Sequence, residues 1–192
     1  MCKSRETMIA LFFLVILFLC HSQATLFQAS QGDYPDAKEV KMKLPRTYLF
    51  QSAFKILTSR STLECAVQVF YTQTYRSQTY QKYNMINVYT SGRFQDQPLY
   101  VRGFKNYTIL LDNRPEEGIP PRRSLQILYS DEKSCMVTTN PDSHFPKKAC
   151  SLLVTEETFG RSPTECKQAY SRHCGVPAHI YTDISPCRKR NN

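Results

Sequence analysis

The cysteines constrain this chain more than any other feature. Six of the eight, Cys65, Cys135, Cys150, Cys166, Cys174 and Cys187, lie in the body of the sequence, and Cys2 and Cys20 lie in an N-terminal segment of different character. In that segment Lys3 and Arg5 precede an unbroken apolar run from Met8 to Cys20, and Ser22-Gln23-Ala24 then offers small residues at the −3 and −1 positions of a cleavage site. The pattern predicts a secretory signal peptide over residues 1–24. Its apolar run is shorter than the roughly 20 residues that span a bilayer, and no later stretch comes close, so stable membrane insertion is not expected. One secreted domain, residues 25–192, remains. An even number of cysteines in an oxidising compartment predicts three disulfides, and spacing leaves every pairing open.

Other readings of the same residues fall away. No C-x-x-C pair occurs, and His144, His173 and His179 stand at no zinc-ligand spacing from the cysteines, so no metal is expected. Asn106-Tyr107-Thr108 is a glycosylation sequon at Asn106, consistent with secretion. The formal charge is +9, and loss of Lys3, Arg5 and Glu6 with the leader takes it to +8. The cations are scattered (Lys41, Lys43, Arg46, Arg122, Arg123, Lys147, Lys148 and Arg188-Lys189-Arg190) rather than built into a nucleic-acid motif. Such a surface favours anionic partners through summed electrostatics.

Past the leader the pattern is one of successive strands. Runs rich in Val, Ile, Tyr, Phe and Thr occupy Arg46 to Leu57, Leu63 to Tyr75, Tyr80 to Thr90 and Pro98 to Phe104. Four more occupy Tyr107 to Leu111, Ser124 to Tyr129, Lys133 to Thr138 and Ala149 to Thr155. Ser91-Gly92, Asn113-Arg114-Pro115 with Gly118, Pro120-Pro121 and Asn140-Pro141-Asp142 separate them as turns. The fold class is therefore all-β, an antiparallel sandwich or barrel. One helix is predicted. Ser162-Pro163-Thr164-Glu165 is a capping box with Pro at the first helical position, and Gly175-Val176-Pro177 is the stop. Cys166, Ala169, Tyr170, His173 and Cys174 then share a face, so both cysteines can clamp the helix to the sheet. His173 on that face reads as a packed histidine rather than a ligand.

Leu128-Tyr129-Ser130-Asp131-Glu132-Lys133-Ser134-Cys135, Ala149-Cys150-Ser151-Leu152-Leu153-Val154, the capped helix with Cys166 and Cys174-Gly175, and Ile180-Tyr181-Thr182-Asp183 before Cys187 together carry a family pattern. Upstream, Tyr48-Leu49-Phe50 and Cys65 fit the first two strands. The chain resembles the tick salivary lipocalins, the histamine-binding-protein family. That resemblance implies an eight-stranded antiparallel lipocalin barrel around a small-molecule cavity, a C-terminal helix packed outside, and a tail held by a disulfide. It also implies the pairs Cys65 with Cys187 and Cys135 with Cys166, which leaves Cys150 with Cys174.

With helix and tail outside, the strand cysteines point outward, and alternation turns Ala66, Gln68, Phe70, Thr72, Met136, Thr138, Ser151 and Leu153 inward. The family's amine binders carry Asp immediately after the seventh-strand cysteine and Glu-Leu-Trp or Glu-Leu-Tyr on the next strand. Here Met136, Ser151 and Leu153 stand at those positions, so the acids that would pair with an ammonium are absent. The expected ligand is accordingly a fatty acid or eicosanoid, with its chain along Phe70, Met136 and Leu153 and its carboxylate at Arg76, Arg93 or Arg102. Tyr100, Arg102 and Phe104 alternate as if on one face, with cavity and solvent both open to them. A biogenic amine such as histamine is the alternative ligand. A third reading is a host-protein module, aimed at a complement component for example, that uses the loops Thr90 to Pro98 and Leu111 to Ser124. Catalysis is not expected: no G-x-S-x-G, P-loop, H-E-x-x-H or dinucleotide motif occurs, no cofactor is implied, and Glu116-Glu117 and Glu156-Glu157 sit near turns or strand ends. The protein is read as a monomer secreted into saliva.

Overall fold

The structure, a computed structural model, describes residues 32–58, 61–116, 118–142, 149–161 and 163–189. The signal-peptide segment, Ser162 of the expected cap, and the cations Lys147, Lys148 and Arg190 lie outside them. Antiparallel pairing orders the strands β1 (Arg46–Ser52), β9 (Ala149–Val154), β8 (Cys135–Asn140), β7 (Arg123–Ser130), β6 (Thr108–Asp112), β5 (Phe94–Lys105), β4 (Gln78–Tyr89) and β3 (Ser61–Tyr75). β1 pairs with β9 on one side and with β3 on the other, and this closes the sheet into an eight-stranded barrel. Two-residue strands, β2 (Leu57–Thr58) and β10 (His179–Ile180), extend β3 and β1.

Side-chain chemistry sets where the strands begin and end. Asp131 Oδ1 accepts hydrogen bonds from the amides of Lys133, Ser134 and Cys135. The chain there is held in a turn, so β8 starts at Cys135 rather than at Lys133. Pro98 does not open β5 as expected. The Asn84 side-chain carbonyl accepts the Gln97 amide at 2.9 Å beside the missing proline donor, and the strand runs through from Phe94. The expected Thr90–Pro98 loop is therefore only the short turn 90–93. β1 stops at Ser52, whose hydroxyl donates to the Phe54 carbonyl at 2.6 Å and turns the chain.

Helix α1 (Ala37–Lys43) lies across the barrel end at the β5–β6 turn, where the Ala37 amide donates to the Asn106 carbonyl at 3.0 Å. Ala37, Val40 and Leu44 bury its inner face. The short helix α2 (Glu156–Phe159) follows β9, and α3 (Thr164–Cys174) packs outside against β7, β8 and β9. A last turn, α4 (Ser185–Arg188), carries Cys187. Gly175 ends α3 at φ +79°, a conformation that suits glycine. Disulfides join Cys135 to Cys166, Cys150 to Cys174 and Cys65 to Cys187, with Cα separations of 6.3, 6.1 and 6.1 Å. They pin both ends of α3 and the tail to the outer wall. Among the described residues no helix is long and apolar enough to cross a membrane.

Candidate ligand-binding cavity

The disulfides fix which way each strand faces. Cys135 pairs with Val154 and Thr139 with Cys150, an outward row, whereas Met136 pairs with Leu153 and Thr138 with Ser151, an inward one. The same alternation carries through the neighbours: Gln68 opposite Met85, Phe70 opposite Tyr83, Tyr83 opposite Leu99 and Met85 opposite Gln97 all face in. These rows line a cavity of about 220 Å³ at the end of the barrel where β8 finishes at Asn140 and β9 starts at Ala149. Its walls are Tyr83, Met85, Gln97, Leu99, Leu111, Arg123, Leu125, Thr138, Asn140, Ala149 and Ser151.

Of the residues singled out by sequence, Thr138 and Ser151 line this cavity. Gln68, Phe70, Met136 and Leu153 also face inward but pack below it as buried core, Phe70 with its ring 5.3 Å from that of Tyr83. Phe104 pairs with Ile109 on the inner side at the far end, where Lys41 Nζ lies 5.9 Å from its ring centroid. Tyr100 and Arg102 do not reach the interior. A register shift between Val101 and Gly103 breaks the alternation, so Tyr100 and Phe104 face opposite ways. Tyr100 is outside, with Lys82 Nζ 3.4 Å from its ring centroid and the Tyr80 ring edge-on at 5.4 Å. Arg102 donates to the carbonyls of Arg114 and Ile119 at 3.1 and 3.2 Å and holds the β6–β7 loop against the outer wall. Asp112 holds the same loop from the strand end, accepting the Arg114 and Arg122 amides, each at 3.0 Å. Arg76 occupies the β3–β4 turn with its guanidinium over Tyr75, and Arg93 lines a separate recess of about 680 Å³ with Tyr89, Phe94 and Gln95.

Arg123 is the cation at the cavity, and it was not singled out. The alternation Arg123, Leu125, Ile127 was the available signal, because it places the arginine in line with two core residues. Within the described residues Arg123 makes no ion pair, and no described Asp or Glu lines the cavity. Burial pushes the Tyr83 phenol well above its usual range, so it stays protonated and can donate. His173 is half clamped rather than free, with Nε2 2.8 Å from Asp33 Oδ1, and Arg172 reaches the same oxygen at 2.8 Å. Asp131, Cys135 and Cys166 bring ligand-type atoms within 4.8 Å of one another, but both sulfurs belong to one disulfide.

The sequence profile described as tick histamine binding protein matches residues 36–189. The chain belongs to the tick histamine-binding protein family. Its barrel is similar to that of the major cockroach allergen Per a 4, at TM-score 0.55 and 8% identity over 82% of this chain and 96% of that one. It is also similar to Japanin from Rhipicephalus appendiculatus, solved with cholesterol bound, at TM-score 0.51 and 19% identity over 72% of this chain and 93% of that one. No curated protein gives a significant sequence match. This member of the histamine-binding family therefore has a lipocalin-type ligand-binding barrel, with Thr138, Ser151 and Arg123 on the wall of its cavity.

Proposed function

We propose that this histamine-binding family member is a secreted salivary scavenger that holds a fatty acid or eicosanoid, carboxylate at the mouth and chain directed inward. One observation carries the reading: among the described residues Arg123 is at the cavity without an acidic partner, and no described Asp or Glu lines it. An ammonium ion in this site would lose its hydration without gaining a counter-charge, whereas a carboxylate would gain a charge-assisted bond to the guanidinium. Thr138, Ser151 and Tyr83 add hydroxyl donors around it. Secretion accords with the three disulfides. A glycan on Asn106 would leave the cavity free, because this exposed residue is in the β5–β6 turn at the opposite end.

The test is calorimetric titration of the oxidised protein, residues 25–192, with oleate, leukotriene B4 and histamine in parallel. Binding of a lipid acid without histamine is expected. Arg123→Gln should weaken it by about tenfold or more, the equivalent of losing one hydrogen bond to a charged group. Histamine binding without any lipid binding would overturn the reading, and lipid binding indifferent to Arg123→Gln would move the carboxylate elsewhere.

A further inference from the structure

Below the cavity two polar side chains face each other on paired inward positions, Thr47 of β1 and Gln68 of β3. Both are 0% exposed, yet among the described residues Thr47 Oγ1 and Gln68 Oε1 have no hydrogen-bond partner. The Gln68 amide nitrogen donates to Met136 Sδ at 3.6 Å, and a thioether is a weak acceptor. Buried polar atoms are nearly always satisfied in native proteins, and each one that is not costs about 1–3 kcal/mol. Val and Met would fill the same two places without that cost. The surrounding layer, Leu49, Leu153 and Met136, is apolar and fully packed, so the pair serves nothing in the core as it stands.

We infer that Thr47 and Gln68 form a deep subsite that accepts a hydrogen bond from a hydroxyl on the ligand's chain, and that Met136 is the movable floor between this subsite and the cavity. Met136 suits the role. Its side chain is unbranched and adaptable, and the weak sulfur contact to Gln68 is its polar tie. The space above it is also short: about 220 Å³ lies below the roughly 300–1,000 Å³ usual for ligand pockets, so a long acyl chain is accommodated only when the floor moves. The inference rests on the lipid-acid reading above and narrows it to a chain hydroxylated at mid-length.

The experiment compares stearate with 9- and 12-hydroxystearate on the oxidised protein, and repeats the comparison on Gln68→Met and Thr47→Val. A hydroxylated acid should bind about tenfold more tightly than stearate, because its hydroxyl can donate to Gln68 Oε1 while accepting from the Thr47 hydroxyl. In Gln68→Met that preference should vanish, and Thr47→Val should reduce it, which guards against a folding failure in one variant. Equal affinity for all three acids, or a preference that survives both substitutions, would overturn the subsite and assign the pair to a resident water. Binding of none of the acids would instead remove the lipid-acid reading, and the subsite with it.

Discussion

Tyr170 is fully buried on α3, and its hydroxyl has no hydrogen-bond partner among the described residues. Burial therefore pushes the phenol up to about 12, against about 10 for an unfolded tyrosine. Below pH 10 both states keep the proton and the shift has no effect. Between pH 10 and 12 the unfolded chain ionises while the folded one does not, so stability falls as pH rises, by about 1 kcal/mol from this residue by pH 11. Tyr170→Phe removes both the linkage and the unsatisfied hydroxyl. In urea unfolding it should equal or exceed the parent at pH 7 and lose less stability between pH 9 and 11. A parallel loss in both proteins would show that the hydroxyl finds a partner. At this scale the sequence is legible only as far as alternation holds. Alternation places Thr138 and Ser151 on the cavity wall, but the register shift at Arg102 puts Phe104 on the opposite face from Tyr100, and Arg123, in a basic pair, reads as ordinary surface.

The eight strands follow from runs of β-branched and aromatic residues between turn formers; β1 and β9 start where expected and the other six starts shift, two of them where Asp131 and Asn84 claim backbone amides. Helix α1 was missed, although Asp36-Ala37-Lys38-Glu39 is a capping signature followed by Val40 and Leu44 at helical spacing. Its brevity hid it among the polar residues around it. Asp36 Oδ1 accepts the amides of Lys38 and Glu39 at 2.8 and 3.1 Å, which satisfies two of the free donors at the helix start. Asp36→Ala should cost about 1 kcal/mol in denaturant unfolding. Because α1 covers the end of the barrel away from the mouth, lipid affinity should change little. A large loss of affinity would instead mean that the ligand reaches through to this end.

Neither barrel closure nor cavity size could be read from periodicity. Inward and outward residues alternate in a sandwich as they do in a barrel, and closure depends on the long-range pairing of β1 with both β3 and β9. The cavity is what remains after the lower half is packed with Gln68, Met136, Leu153 and their neighbours, which depends on all the strands together. Charge, by contrast, belongs to the whole molecule and is plain in the composition. With a formal charge of +9 on the full chain, the field attracts an anion before any contact forms, and salt screens that field over about 10 Å at 0.1 M. The association rate of a fatty-acid carboxylate, followed by stopped flow, should therefore fall severalfold, about tenfold at most, from 0.01 to 0.5 M salt, while its neutral methyl ester shows no such slope. Arg123→Gln removes one charge of many and should leave this salt dependence nearly intact while speeding dissociation, because the contact it breaks exists only in the bound state. A variant that instead lost the salt slope would show that Arg123 alone, and not the summed surface, guides the anion to the mouth.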